Sequence, residues 1–107
     1  MRRLAFMLML LTATPATACI GEAAPHLARL AASGLPIQTL EGDAMARVLA
    51  DLRERIDFDE QPTRIVAVFG ESRAAVWLIV EAQLCNIIYG PAEDVRAILR
   101  RAGGVES

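Results

Sequence analysis

The sequence predicts an α+β domain: an antiparallel three-stranded meander, with room for a fourth strand at its edge, packed with two or three helices. Three observations predict it. The run Ala74–Tyr89, AAVWLIVEAQLCNIIY, is the most apolar stretch outside the N-terminus and is rich in β-branched and aromatic residues, the composition of strands. Read as a helix, its polar residues Glu81, Gln83 and Asn86, with Arg73 just before it, would scatter around the wheel and leave no solvated face. Two segments on either side of the strand region carry helical periodicity instead. Met45, Val48, Leu49, Leu52 and Ile56 form one continuous apolar stripe, and Val95, Ile98, Leu99 and Ala102 form a second.

The chain begins with a segment that is read apart from the fold. Arg2 and Arg3 precede the apolar run Leu4–Leu11, and a small-residue tract follows to Ala18. Positive start, short apolar core and an Ala16-Thr17-Ala18 site are the anatomy of a secretory signal. The apolar core is too short to span a bilayer as a helix, and Pro15 with the Thr-rich tract argues against a buried N-terminal helix. Residues 1–18 are therefore expected to be removed between Ala18 and Cys19. A single small domain of 89 residues, 19–107, would remain.

Cleavage at that bond would make Cys19 the first mature residue. Two chemistries compete for its sulfur. Cys19 and Cys85 are the two cysteines of the chain, and in an oxidising compartment they admit one intramolecular pairing, a Cys19–Cys85 disulfide. The alternative is a lipid-anchored lipoprotein acylated at Cys19, with Cys85 buried as a small hydrophobe. The residues before Cys19 suit ordinary signal peptidase better than a lipoprotein site, because the third residue before the Cys is Ala16 rather than a larger aliphatic. The cysteines are too far apart to form a CxxC redox motif.

Charge excludes further classes. The chain holds 11 Lys+Arg against 13 Asp+Glu, and every basic residue is Arg. Loss of Arg2 and Arg3 leaves nine arginines against 13 carboxylates, a net charge of −4. No arginine cluster interleaves with aromatics, so a nucleic-acid groove is not expected. His26 is the single histidine and is read as facing solvent. Asp57, Asp59 and Glu60 lack the Gly and distal Glu of a calcium loop and are read as a solvated turn. No metal, cofactor or catalytic residue is assigned.

The elements follow in order. Glu22–Ser33 is an Ala-rich helix, with Pro25 in its first turn and Gly34 as its stop. Pro36–Leu40 is a short edge strand, since Pro36 cannot donate to a ladder. If it ran parallel to 64–69, the helix between them would make a right-handed crossover. The helix 43–56 carries Asp43, Arg47, Asp51 and Arg55 as alternating charges four apart on its outer face. Strands are expected at 64–69, 74–80 and 85–89, joined by loops at 70–73 and 81–84. The second loop lacks Gly, Asn and Asp, which argues against a two-residue turn. Gly90-Pro91 opens a last helix, 91–102, with Glu93 and Asp94 at its positive end and Arg100 and Arg101 at its negative end.

These loop lengths set a register. Phe69 should face Ala74, Ala67 face Val76 and Ile65 face Leu78. Val80 should face Cys85, Leu78 face Ile87 and Val76 face Tyr89. Alternation then gathers Ile65, Ala67, Phe69, Val76, Leu78, Val80, Cys85, Ile87 and Tyr89 on one apolar face, under the 43–56 and 91–102 helices. Swapping the register by one residue would bury Glu81 and Asn86. The opposite face carries Val66, Val68, Trp77, Ile79 and Ile88, ringed by Arg64, Arg73, Glu81 and Asn86. An apolar centre with a polar rim is the anatomy of an interface, with a protein partner or a second copy as its occupant. The competing expectation is that the Glu22–Ser33 helix covers this face.

The signal, the Leu40-Glu41-Gly42-Asp43 helix entry, and a Cys85 strand followed by Pro91 and Val95 together resemble small exported bacterial proteins of unknown function that pair a short α/β body with a late Cys strand. The resemblance spans most of residues 19–107 and implies export without implying an activity. The function expected is therefore that of an exported, periplasmic binding or interaction protein without catalysis. The alternatives are a lipid-anchored envelope lipoprotein, membrane-bound only through Cys19, and a small periplasmic enzyme. The enzyme reading is the weakest, since no nucleophile–base pair, metal set or phosphate loop stands out.

Overall fold

The computed structural model describes residues 19–102 and the backbone of residues 12–13. The elements are β1 (Thr12–Ala13), β2 (Gly21–Glu22), α1 (Ala23–Ser33), β3 (Ile37–Leu40), α2 (Gly42–Arg53), β4 (Arg64–Phe69), β5 (Arg73–Val80), β6 (Gln83–Pro91) and α3 (Ala92–Arg101). The sheet runs in the order β1-β6-β5-β4-β3, and β2 also pairs with β6. The class is α+β, as expected, and the meander is β4-β5-β6. The sheet is wider than that meander, because β3 and the two short N-terminal strands extend it. Every strand pairing is antiparallel, so β3 makes no crossover. The expected signal core Leu4–Leu11 and the expected cleavage residues Ala16 and Ala18 lie outside the described residues.

The β4–β5 hairpin has the register that the sequence predicts. Ile65 pairs with Leu78, Ala67 with Val76 and Phe69 with Ala74. The β5–β6 hairpin does not. Val80 pairs with Gln83, Ile79 with Leu84, and then Leu78 with Asn86, so Cys85 is an extra residue in β6. The turn is therefore Glu81-Ala82, two residues rather than four. Glu81 takes a φ of 57°, a left-handed conformation in which Gly or Asn is usual. Thr63 supports it. Its Oγ1 accepts the Glu81 amide at 2.8 Å and donates to the Ile79 carbonyl at 3.3 Å. A short turn followed by a bulge thus replaces the expected long loop, and everything beyond Cys85 changes face.

One face packs on α2 and α3. Its core joins Ile65, Ala67, Phe69, Ala74, Val76, Leu78 and Ile88 to Val48, Leu49 and Leu52 of α2 and to Ala92, Val95, Ile98 and Leu99 of α3. Leu52, Ile65, Leu78, Ile88 and Ile98 are all at most 2% exposed. Burial of each such side chain stabilises by about 1.5–3 kcal/mol. Asp51 ties the two helices together: its carboxylate accepts from Arg55, just past the end of α2, at 2.9 Å and from Arg101 of α3 at 3.0 Å. The helix α2 ends at Arg53 rather than at 56, where the chain tightens as the Glu54 and Arg55 amides donate to Asp51 and Leu52 three residues back. Ile56 still packs against the core.

The same register places Asn86 on this face, 3% exposed. Its side chain is satisfied there: the amide donates to Glu60 Oε1 at 3.1 Å and the oxygen accepts the Ile87 amide at 2.8 Å. The Glu60 carbonyl accepts from Arg53 at 2.6 Å. Glu60 is thus half-buried and engaged, not part of a solvated turn, which lets a strand bury an amide without an orphaned polar group.

Candidate functional site

The second face is covered, but not completely. Val66, Val68, Ile79 and Leu84 are buried with Ala23, and Leu27, Leu30, Trp77 and Ile87 pack around them. The helix α1 lies over this face, as the competing expectation had it. Its first amide, on Ala23, donates to the Ala82 carbonyl at 2.8 Å. At its other end Gly34, at φ 78°, lets the chain turn back into β3, and the Phe69 amide donates to the Pro36 carbonyl at 3.0 Å. The helix therefore crosses the sheet from the β5–β6 turn to the β3 edge.

The candidate interface residues part company on this geometry. Val66, Val68 and Ile79 form the buried floor beneath α1. Ile88 belongs to the other core, a consequence of the Cys85 bulge. Trp77 and Arg64 are half-buried and Arg73 is exposed. Ile87 and Tyr89 take the place expected of Ile88. His26 does not face solvent freely: its ring meets Trp77 edge-on, with centroids 6.1 Å apart, and its Nδ1 accepts from Arg29 at 3.1 Å.

What α1 leaves uncovered is a corner of β5 and β6. The cross-strand rows there are Trp77 with Ile87, Ala75 with Tyr89, and Arg73 with Pro91. Tyr89 is 44% exposed and Ala75 and Ile87 are half-buried. Two aromatic side chains, Trp77 and Tyr89, near an exposed arginine on one sheet face are the composition of contact surfaces. It is smaller than the interface expected from sequence and lies toward the β6 edge. Tyr89 and Ile87 could not be picked from the pattern, because the bulge that turns them to this face has no marker in the sequence.

The Cys19–Cys85 disulfide is present. The bulge explains how it forms. A regular strand would point Cys85 up or down, whereas the extra residue re-aims it toward the chain beside β6, where Cys19 lies just before β2. The Ile20 amide donates to the Leu84 carbonyl at 2.7 Å, and Gly21 and Glu22 pair with Leu84 and Gln83. The bond thus fixes the start of α1 to the last strand.

A concavity of about 390 Å³ opens between the first turn of α1 and the β5–β6 turn. It is lined by Glu22, Ala23, Ala24, Leu27, Arg64, Glu81 and Ala82. Two carboxylates and one guanidinium around alanines give it no nucleophile or metal set. Among the described residues no group of three or more His, Cys, Asp or Glu is placed to hold a metal ion. Among the same residues no helix is long and apolar enough to cross a membrane. Family models, curated proteins and solved structures return no match to this chain.

Proposed function

We propose that this chain is a small exported protein, cleaved after Ala18, that works in the periplasm or outside the cell by binding another macromolecule at the Tyr89 corner of its sheet. The observation that carries the export half is the Cys19–Cys85 disulfide. Such bonds persist in oxidising compartments and are rare in reducing ones, and this one uses the residue that the Ala16-Thr17-Ala18 site would make the first. The same sulfur is needed for acylation, so the disulfide favours the released form over the lipid-anchored one. The binding half rests on the exposed Tyr89 beside Trp77, Ile87 and Arg73.

Fractionation of cells expressing the full chain tests this reading. The protein is expected in the osmotic-shock fluid, with faster mobility on a non-reducing gel than on a reducing one. Recovery in the cytoplasm with residues 1–18 attached would refute export. Recovery in the membrane fraction with an acylated Cys19 would favour the anchored alternative.

A further inference from the structure

We infer that cleavage after Ala18 opens the outer edge of β6, and that this edge then pairs with β6 of a second copy, antiparallel across a two-fold axis near Ile88 and Tyr89. The inference rests on the export reading, since cleavage is what frees the edge. β6 has two short partners on its outer side. One is β2, which pairs with Leu84 and Gln83, belongs to residues 19–107 and is held there by the disulfide. The other is β1, in which Thr12 and Ala13 pair antiparallel with Tyr89 and Ile88. Those two residues stand on the leader side of the cleavage site. The edge at Ile88 and Tyr89 thus accepts an antiparallel strand, and processing removes the one it holds.

Open edges are ordinarily blunted by charge, by shortness or by a bulge. β6 has nine residues, Gln83–Pro91, and none carries a charge. Its bulge lies at Cys85, close to the end that β2 covers, and Pro91 blocks only the last position. The net charge of −4 in the mature chain falls elsewhere, so two β6 strands meet without like charges on either. A second copy also fits the side chains. Antiparallel pairing about the middle of this stretch brings Ile87 of one copy beside Tyr89 of the other, and the reverse, in the isologous manner of a two-fold interface. That continues the Trp77–Ile87 row across the axis and covers the exposed Tyr89 rings.

Sedimentation velocity of the mature protein, with intact mass measured on the same sample, tests the inference. A mass matching residues 19–107 together with a concentration-dependent dimer is the expected result. Tyr89→Lys, at an exposed position, would set a charge near its own symmetry mate and is expected to weaken the dimer at least tenfold while the melting curve of the monomer is kept. Hydrogen exchange supplies a readout that does not depend on that variant: the Tyr89 amide, turned away from β5, should be protected at high concentration and exchange faster on dilution. A mature chain of the right mass that remains monomeric up to about 1 mM, where even weak pairing assembles, would overturn the inference alone. A monomer that instead binds a synthetic Leu11–Pro15 peptide would also overturn it, making the edge a peptide-binding site. Protein that keeps residues 1–18 would overturn the processing reading and, with the edge already filled, this one too.

Discussion

Glu81 is the residue at which local preference and tertiary structure pull hardest against each other. A left-handed backbone costs an L-residue about 1–2 kcal/mol, and the structure holds Glu81 there at φ 57° through Thr63 and the β5–β6 ladder. Glu81→Gly should therefore raise stability by about 1 kcal/mol, less whatever the freer unfolded chain takes back. Thr63→Val should lower it by about 1 kcal/mol, because the Glu81 amide loses its acceptor. Urea unfolding of the two variants checks both; a destabilised Glu81→Gly would mean that the glutamate side chain contributes more than the backbone conformation costs. Trp77 poses a different question. Half-buried against Ile87, His26 and α1, it acts as part of the second core. Trp77→Ala is expected to destabilise the monomer by about 3 kcal/mol, at the low end for a large core truncation because one side is wet. A variant that melts with the wild type but loses association would place Trp77 in an interface instead.

At the scale of elements, the disulfide and α1 form one device. The sequence separation of 66 residues between Cys19 and Cys85 gives a loop whose closure lowers unfolded-state entropy by about 4 kcal/mol on the chain-entropy model. Reduction should therefore lower the melting temperature strongly, with amides of α1 and β2 exchanging before those of β4 and β5. Uniform loss of protection across the sheet would contradict the placement of the bond at the second layer. Much of this arrangement was legible beforehand. The stripes of α2 and α3 name their own buried faces, Gly34 marks the end of α1, and the β4–β5 register follows from Phe69 and Ala74 across a loop of polar residues. The β5–β6 register was not legible. Turn chemistry at Glu81-Ala82 gives no sign of a two-residue turn, and Thr63, which steadies it, lies far away in sequence. The bulge at Cys85 then inverts the alternation that pattern reading depends on. The rejected slip of register was right in one respect: Asn86 is buried, and it is tolerated because Glu60 reaches it from a loop that pattern alone reads as solvated.

For the whole molecule, the layers and the candidate site follow from how the three described helices share two sheet faces. Two of them, α2 and α3, fill the first face, bridged by Asp51. The third, α1, lies over the second face and leaves the Ala75–Tyr89 corner open. The site is thus a remainder of packing, which is why residues proposed from an uncovered sheet, Val66, Val68 and Ile79, turn out to be floor. A small core of this size is marginal alone, and a crosslink from Cys19 to the last strand is the kind of reinforcement that exported domains use. The claim on which function, stability and the open edge all depend is that the mature chain starts at Cys19 with its sulfur bound to Cys85. Intact mass spectrometry of protein isolated from the periplasm, alkylated without reductant, tests it most directly. The account predicts one species with the mass of residues 19–107 less two hydrogens and no alkyl group. Alkylation at both cysteines, an acyl mass on Cys19, or retention of Leu4–Leu11 would contradict it.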